Sequence, residues 1–264
     1  MRKYNNIKLL IYIIMYVCNI TGQSFELEDN EKKRELGLRF GYNNRYRALS
    51  YVFTKLFYGE CKILSDLETN KNIKGIGMSD GTLAQIFEEK FNYTNTFYHT
   101  NPYLDIYNND HIKNYNNLDF IISSEVFEYI NPYPSIEIAF DNLYKMLGKG
   151  GHLVFSVPFI YDKHKEYYPN LYNYSIKKNN NEYVIYNKTK QNKKEIFNNV
   201  RVEEGPGNTI EMRLFSKSSI IYFLEKSGFI DITFYEITED MNKYGIFWSP
   251  DNTNNFSLII SAKK

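Results

Sequence analysis

Apolar positions along the chain follow two alternating periods, and this alternation predicts an α/β protein. Short apolar or extended runs indicate strands at 73–77, 95–98, 103–106, 118–123, 152–157, 229–237 and 256–261. Apolar residues that recur every three or four positions predict helices over 45–58, 83–91, 135–147 and 216–227. The glycines of 148–151 are typical of a helix end followed by a tight turn.

Strands separated by helices indicate a doubly wound, mostly parallel sheet with helices on both faces. We expect seven strands, of which those in 73–157 form the parallel half and the last, near 256–261, runs antiparallel to its neighbours. Residues 159–215 break the alternation, are rich in Asn, Lys and Tyr, and contain Gly205-Pro206-Gly207. They predict an α/β-decorated insertion or lid after the fifth strand. The expected domain covers 45–264, and residues 1–44 form an N-terminal extension.

Composition and charge narrow the class of protein. With 43% hydrophobic and 17% aromatic residues in a chain of 264, a sizeable folded core is expected. Basic and acidic residues number 32 and 31, so nucleic acid is not an expected partner, because the electrostatic part of its binding needs net positive charge. Two cysteines, Cys18 and Cys61, provide neither a disulfide framework nor a four-ligand zinc site. We therefore expect no metal and a reducing, cytoplasmic location.

The N-terminus leaves two interpretations open. Met1-Arg2-Lys3 precedes an apolar run from Leu9 to Ile20, which loosely resembles a secretory signal. The run contains Tyr12 and Tyr16, lacks a small-residue cleavage site, and is too short to span a bilayer. A buried N-terminal strand or helix is the preferred interpretation, and no stable membrane insertion is expected.

Ligands of doubly wound sheets bind outside the carboxyl ends of the strands, so the residues that follow each strand are the candidates for function. Gly75, Gly77, Met78, Ser79 and Asp80 end the first predicted strand and begin a helix, where glycines allow close approach of a ligand and helix amides favour an anionic group. A tight strand-to-helix turn without a ligand explains the same residues. If Gly77 borders the ligand, Gly77→Val should abolish binding in a folded protein.

Two longer stretches carry a resemblance to a known family. Residues 118–130, Leu-Asp-Phe-Ile-Ile-Ser-Ser-Glu-Val-Phe-Glu-Tyr-Ile, and residues 142–158, which end in Gly-Gly-His-Leu-Val-Phe-Ser-Val-Pro, resemble the second half of a class I S-adenosylmethionine-dependent methyltransferase. Residues 75–80, 94–99 and 104–106 are similar to a bacterial branch whose members often accompany glycosyltransferases. The resemblance spans about 36–262. It implies S-adenosyl-L-methionine as cofactor and methyl transfer to a small-molecule or glycan acceptor, expected at a hydroxyl.

The resemblance also implies roles for particular residues. The expected cofactor-binding residues are Gly75, Gly77, Met78, Ser79, Asp80, Asn101, Asp105, Ser124, Glu125 and Val126. On the acceptor side we expect Glu128, His164 and Arg213 to bind substrate and Glu166 to act as base or hydroxyl ligand. Alternatives stay open: Asp105 either reads the adenine or caps a turn, and Glu125 and Glu128 either line the pocket or begin a helix.

Departures from the family pattern leave a second function open. Ile73 stands where an acidic residue is usual, Ser79 replaces the third glycine, Asn101 replaces the acid that grips the ribose, and Tyr129 replaces a common His. The alternative is therefore a degenerate methyltransferase fold that binds a partner without turnover. Two other enzyme classes are disfavoured. The Asn/Asp-Pro-Pro-Phe/Tyr tetrapeptide of nucleic-acid amino-methyltransferases is missing after residue 123, and the dinucleotide-binding glycine pattern fails at Asp80.

Overall fold

The computed structural model describes residues 14–32, 36–160, 163–180, 182–200, 202–203, 209–247 and 256–264. Gly205-Pro206-Gly207 and the first part of the N-terminal apolar run lie outside them. The helices are α1 (Asn44–Tyr58), α2 (Leu83–Lys90), α3 (Asn109–Ile112), α4 (Ile136–Met146), α5 (Lys217–Lys226) and α6 (Glu239–Lys243). Short 3-10 turns occupy Asp29–Glu31, Leu64–Asp66 and Phe127–Tyr129.

The strands divide into a central sheet and smaller sheets beside it. Those of the N-terminal half are β1 (Met15–Val17), β2 (Ser24–Glu26), β3 (Asn70–Met78), β4 (Phe91–Thr96), β5 (Leu118–Ser124) and β6 (Leu147–Ile160). Those that follow are β7 (Lys165–Glu166), β8 (Asn173–Asn179), β9 (Glu182–Lys188), β10 (Lys194–Phe197), β11 (Val202–Glu203), β12 (Thr209–Ile210), β13 (Arg213–Ser216), β14 (Ile230–Tyr235) and β15 (Phe256–Lys263).

The central sheet has the order β14-β15-β6-β5-β3-β4. Strands β4, β3, β5 and β6 are mutually parallel, and β15 runs antiparallel to both β6 and β14. The antiparallel last strand is therefore confirmed. β13 joins the carboxyl end of β6 through two parallel pairs, and β7 pairs with β13.

Three local expectations differ from the structure. Residues 103–106 do not form a strand, since only a bridge between Phe97 and Tyr103 is present, so the linear order contains six strands rather than seven. The second strand is Phe91–Thr96 rather than 95–98, because Phe91 is already extended where α2 ends. Residues 148–151 belong to β6 instead of a turn. Gly150, with φ of +82°, accommodates the irregular register between β5 and β6.

Both faces of the sheet are covered by helices. On one face α4 and α5 pack on β-strand residues such as Ile121, Leu153 and Phe155. On the other face α1 and α2 pack against Phe120 and Val154. Burial on both faces explains why β5 and β6 are almost continuously apolar. In the part of the chain described, no helix combines the length and apolar character needed to cross a bilayer.

Helix boundaries follow from side chains that satisfy end groups of the backbone. The Asn43 side chain accepts a hydrogen bond from the Tyr46 amide at the start of α1, and Gly59, with φ of +78°, ends that helix. Ser135 and Ser216 cap α4 and α5 in the same way. Local sequence therefore fixes where these helices begin.

The N-terminal residues pack on the α1 face. β1 and β2 form a hairpin in which Tyr16 pairs with Phe25, and both side chains are buried, as are Cys18 and Ile20. The fully buried Arg47 of α1 donates to the carbonyl oxygens of Gly37, Tyr42 and Gly245. This guanidinium joins the N-terminal segment, α1 and the segment after α6.

The segment between β6 and β13 carries its own small core. Strands β8, β9 and β10 form an antiparallel sheet, and β11 pairs with β12 in antiparallel orientation. Their apolar residues gather with those of the flanking segments: Leu171, Ile185, Val200, Ile210 and Met212. The chain leaves this segment through β13, which returns it to the carboxyl end of β6.

Candidate active site

The order of strands reverses direction at β3, so the carboxyl ends of β3 and β5 form the switch point of the sheet. The chain runs from β3 to β4 on one side and then crosses to β5 on the other side of β3. At such a reversal the two connections leave in opposite directions, which opens the crevice where doubly wound folds bind ligands. The predicted cofactor residues that follow β3 and β5 meet here.

The turn after β3 has an unusual backbone. Ser79 adopts φ of +59° and Gly81 φ of +56°, conformations that ordinarily favour glycine. The Ser79 amide donates to the Thr96 carbonyl (2.9 Å), and the Asp80 amide donates to Asn95 Oδ1 (3.1 Å). Ser79 thus takes a left-handed conformation at the position where the family pattern has a glycine.

The side chain of Asp80 points beneath this turn. Asp80 is fully buried, and one carboxylate oxygen accepts a hydrogen bond from the hydroxyl of Tyr93, which is also buried. Burial raises the pKa of Asp80 to about 7, against the opposing effects of the Tyr93 hydrogen bond, the Met78 backbone and the Arg45 charge. The Asp80 carboxylate is therefore enclosed in the interior of the protein and is not presented to solvent.

The two glycines of β3 serve the packing of the α2 face. A Cβ on Gly75 would overlap the ring of Phe120, and a Cβ on Gly77 would overlap the Asp80 carboxylate and the Tyr93 hydroxyl. The expectation that Gly77→Val leaves the fold intact is therefore wrong, because its side chain would displace a buried pair. Met78 alternates with Gly77 and is buried in the core beneath α4.

The residues that follow β5 form the opposite wall of the crevice. Ser124 is buried and pairs in register with Ser156 of β6, and its hydroxyl has no hydrogen-bond partner among the described residues. Glu125 adopts φ of +54° and donates its amide to the Ser156 carbonyl. Glu125 and Val126 are half-buried, so both border the edge of the sheet.

Asn101 and Asp105 lie on the loop after β4. Asn101 is exposed and precedes a cis peptide bond to Pro102. Asp105 is half-buried, and its Oδ1 accepts from the Tyr107 amide at 2.9 Å, which is the turn-capping arrangement left open by the sequence. Its second oxygen leaves Asp105 with further capacity to accept hydrogen bonds.

On the acceptor side the structure brings three predicted residues into one cluster. β7 and β13 pair so that Glu166 lies opposite Arg213. Glu166 Oε1 accepts from Arg213 Nε at 2.6 Å and lies 3.0 Å from His164 Nε2. Arg213 is fully buried and also donates from Nη1 to the carbonyl oxygen of Phe127. These side chains converge although 47 positions separate Glu166 from Arg213.

The neighbours of Glu166 favour the charged form of its carboxylate. Burial alone would raise the pKa of Glu166, but the hydrogen bonds and positive charges of His164 and Arg213 outweigh it and hold that pKa below its usual range. A polar atom of each residue stays buried without a hydrogen-bond partner within the described ranges, namely Glu166 Oε2, His164 Nδ1 and Arg213 Nη2. The cluster can therefore both accept and donate hydrogen bonds.

Glu128 lies beside this cluster. It follows β5 within the 3-10 turn Phe127–Tyr129, is almost fully buried, and its carbonyl accepts from the Met212 amide at 2.7 Å. This bond attaches β13 to the residues after β5. Nowhere in the described ranges do three or more His, Cys, Asp or Glu side chains gather as metal ligands would.

Residues 60–233 match a protein-family model described as a methyltransferase domain. The chain belongs to this methyltransferase family. Transfer of a methyl group, with S-adenosyl-L-methionine as donor, is its activity. A search of curated proteins found no match.

Solved structures similar to this methyltransferase share little sequence with it. An S-adenosylmethionine-dependent methyltransferase from Clostridium acetobutylicum is 12% identical, with 83% of this chain and 98% of that chain covered and a TM-score of 0.40. Phosphoethanolamine N-methyltransferase 2 from Haemonchus contortus is 12% identical over 85% of this chain and 53% of that chain, with a TM-score of 0.43. The 1,6-didemethyltoxoflavin-N1-methyltransferase from Burkholderia thailandensis is 12% identical over 83% and 77%, with a TM-score of 0.43.

The residues at the crevice suit the chemistry of the methyl donor. S-adenosylmethionine presents an amino acid end, ribose hydroxyls and an adenine, which need both hydrogen-bond donors and acceptors. Asp105 and Glu125 offer carboxylates, Asn101 offers an amide, and Ser124 offers a buried hydroxyl that lacks a partner among the described residues. The hydrogen-bonding groups of this methyltransferase therefore fit the cofactor, with the amide of Asn101 in place of the usual acid.

Sequence reasoning missed two residues that shape the turn after β3. Tyr93 and Asn95 lie at alternate positions of β4 and face α2, where they contact Asp80. The signal was the period of two in Phe91, Tyr93 and Asn95, which a strand beginning at Asn95 does not include.

Proposed function

We propose that this methyltransferase acts on a hydroxyl of a small molecule or glycan that binds against Glu166, His164 and Arg213. The observation that carries the proposal is their buried cluster with an unpartnered acceptor at Glu166 Oε2 and an unpartnered donor at Arg213 Nη2, within the described residues. A hydroxyl group both donates and accepts, so it satisfies both atoms at once. Glu128 borders the same cluster, and its backbone is joined to the segment before Arg213 through the Met212 amide.

The proposed roles follow from the chemistry of each group. S-adenosylmethionine supplies an electrophilic methyl group, so the protein needs no nucleophile of its own. Arg213 orients the acceptor oxygen, and Glu166 accepts the hydrogen bond of the hydroxyl and then its proton. A carboxylate with a lowered pKa is a weak base, but the acceptor oxygen becomes strongly acidic as the methyl group bonds to it, so its proton passes to Glu166 during or after the transfer.

The cofactor is proposed to occupy the crevice between β3 and β5. Its contacts would come from the turn that contains Met78, Ser79 and the Asp80 backbone, from Asn101 and Asp105 after β4, and from Ser124, Glu125 and Val126 after β5. Gly75 and Gly77 would support these contacts by allowing β3 to pack closely on the α2 face.

Further proposals concern the organisation of the chain. Residues 159–215 are proposed to form an insertion that covers the acceptor, since β7 and β13 bring Glu166 and Arg213 to the edge of the crevice. The domain is proposed to cover 45–264 with an extension at 1–44. We also propose membership of the branch that accompanies glycosyltransferases, no nucleic-acid substrate, and a cytoplasmic location, which suits the free thiols of Cys18 and Cys61.

The decisive experiment separates cofactor binding from turnover. Titration calorimetry measures the affinity for S-adenosylmethionine, and release of S-adenosylhomocysteine is followed with monosaccharides and nucleotide-linked sugars as acceptors. Glu166→Gln should leave cofactor affinity within about twofold and lower kcat by about 100-fold, the lower end of the effect of a general base. Glu195→Gln, in β10 of the same segment, is the matched control and should retain turnover.

Two outcomes would contradict the proposal. Wild-type turnover by a folded Glu166→Gln protein would remove Glu166 from the reaction. Cofactor binding without product from any hydroxylated acceptor would favour the alternative, a methyltransferase fold that binds without turnover on such molecules.

A further inference from the structure

The hydrogen bond between Tyr93 and Asp80 joins the interior of the sheet to the turn after β3. Tyr93 lies on β4, and its ring packs on Phe120 with centroids 5.7 Å apart and an interplanar angle of 12°. Its hydroxyl passes over Gly77, where the missing Cβ leaves room, and reaches the Asp80 carboxylate. Tyr93 of β4, Gly77 of β3 and Asp80 of the turn after β3 therefore form one buried unit.

This unit is linked to the backbone of the turn at several points. Asn95, two residues after Tyr93, accepts from the Asp80 amide, and the Asp80 carbonyl accepts from the Leu83 amide at 3.2 Å. On the outer side the Thr82 hydroxyl donates to the Gly41 carbonyl at 2.6 Å. The turn is therefore held by side chains of β4, by the first amide of α2 and by the N-terminal segment.

The turn needs such restraints because its own sequence does not favour its conformation. Ser79 holds a left-handed φ of +59°, a conformation that is unfavourable for a residue other than glycine. In addition, Asp80 Oδ1 is buried without a hydrogen-bond partner among the described residues. A strained backbone above a partly satisfied buried carboxylate persists only when its surroundings fix it.

We propose that Tyr93 is a positioning residue for cofactor binding, whose hydroxyl holds the turn at residues 79–82 in its binding conformation through the Asp80 carboxylate. The inference rests on the proposed placement of S-adenosylmethionine at this turn. Tyr93 itself is buried beneath the turn, so it acts on the cofactor only through Asp80 and the backbone.

The protonation state of Asp80 makes this buried unit sensitive to pH. The charged or titratable groups that face Asp80 are the Tyr93 hydroxyl from β4 and the Arg45 guanidinium from α1, and Glu88 of α2 faces Tyr93. The Tyr93 hydrogen bond stabilises the carboxylate form and thereby lowers the pKa of Asp80, which burial raises to about 7. Removal of that hydroxyl should therefore move any titration of cofactor affinity near pH 7 to higher pH.

The test removes one hydroxyl and keeps the ring. Tyr93→Phe retains the contacts with Phe120 and Phe87, so the protein should remain folded in urea denaturation. The matched control is Tyr51→Phe, which breaks another bond from tyrosine to aspartate, between α1 and Asp240 of α6. Calorimetry with S-adenosylmethionine between pH 6 and 8.5 should show at least a tenfold higher Kd for Tyr93→Phe, and a wild-type Kd for the control.

Two further measurements distinguish positioning from general stability. Hydrogen exchange of amides 79–83 without ligand should be faster in Tyr93→Phe than in the control. In Asp80→Asn, which cannot ionise, the pH step in affinity should disappear.

Unchanged exchange of the turn in Tyr93→Phe would overturn the inference. Faster exchange with wild-type affinity and an unshifted pH profile would also overturn it, because the turn would then not contact the cofactor. Failure of the wild-type protein to bind S-adenosylmethionine would instead contradict the proposed cofactor site.

Discussion

Replacement of Arg47 by methionine tests whether one guanidinium holds the N-terminal segment to the domain. Arg47 is fully buried and makes six hydrogen bonds to four acceptors, which are the carbonyl oxygens of Gly37, Tyr42 and Gly245 and Oδ1 of Asn44. It also lies 4.9 Å from the ring centroid of Phe25. Burial lowers the pKa of Arg47 to about 10, which leaves it protonated at pH 7.

The magnitude follows from the acceptors that Arg47→Met leaves behind. A buried acceptor without a partner costs about 1–3 kcal/mol, so four of them set an upper range of about 4–12 kcal/mol. Two effects reduce this sum: the cost of desolvating the guanidinium is recovered, and water or small backbone shifts satisfy some carbonyls. We expect a loss of about 3–5 kcal/mol in the free energy of unfolding, a large part of the 5–15 kcal/mol that is usual for a protein.

Urea denaturation measures this loss as a shift of the midpoint at constant m-value. Arg47→Lys, which keeps the charge with three donors instead of five, should lie between the wild type and Arg47→Met. Lys55→Met is the control, because Lys55 is on the exposed face of the same helix and should change stability by less than about 0.5 kcal/mol. A loss below about 1 kcal/mol in Arg47→Met would refute the structural role assigned to the guanidinium.

Two other predictions concern the α2 face. Asp80 has a pKa of about 7 in the folded protein, whereas the ordinary pKa of an aspartate is 3.8. The folded state therefore retains a proton that the unfolded state releases between these pH values. The free energy of unfolding should therefore fall as pH rises from about 4 to 7, and Asp80 contributes at most about 4 kcal/mol to this fall. In urea denaturation at pH 5 and pH 8, Asp80→Asn should remove the Asp80 contribution. Gly75→Ala should lower the free energy of unfolding by about 1–3 kcal/mol, since its Cβ overlaps the Phe120 ring. Gly148→Ala should lower it by less, because its Cβ lies 3.4 Å or more from its neighbours. Equal Tm values for the two variants would contradict this packing.

The extent to which the fold was predictable depended on how local the deciding interactions are. Residues 118–123 carry a nearly continuous apolar run, so β5 was evident from the sequence pattern alone. The first turn of α4 was equally clear, since Ser135 caps it within the sequence window. In contrast, residues 103–106 contain apolar residues but form only a bridge to Phe97, which only the tertiary structure shows.

Some features of the candidate site were also predictable from the sequence, and others depend on the tertiary structure. The sequence predicted His164, Glu166 and Arg213 on the acceptor side, because a parallel sheet gathers the ends of its strands at one edge, and the structure adds that their side chains contact one another. The direction of the Asp80 side chain could not be anticipated, because it depends on the register in which Gly77 lies beside Asn95. A shift of one residue in that register would turn Tyr93 to the other face of the sheet.

The position of β15 has a consequence for the order in which the chain folds. β15 is inserted between β6 and β14, and it is the strand that pairs with β14 among those described. During synthesis α5 and β14 emerge before β15, so β14 cannot enter the sheet until residues 256–263 have left the ribosome. One edge of β6 therefore stays unpaired in the nascent chain until β15 is made. Completion of the sheet needs pairing between residues about 100 positions apart, such as Ser156 with Ile259, and such long-range pairing slows folding.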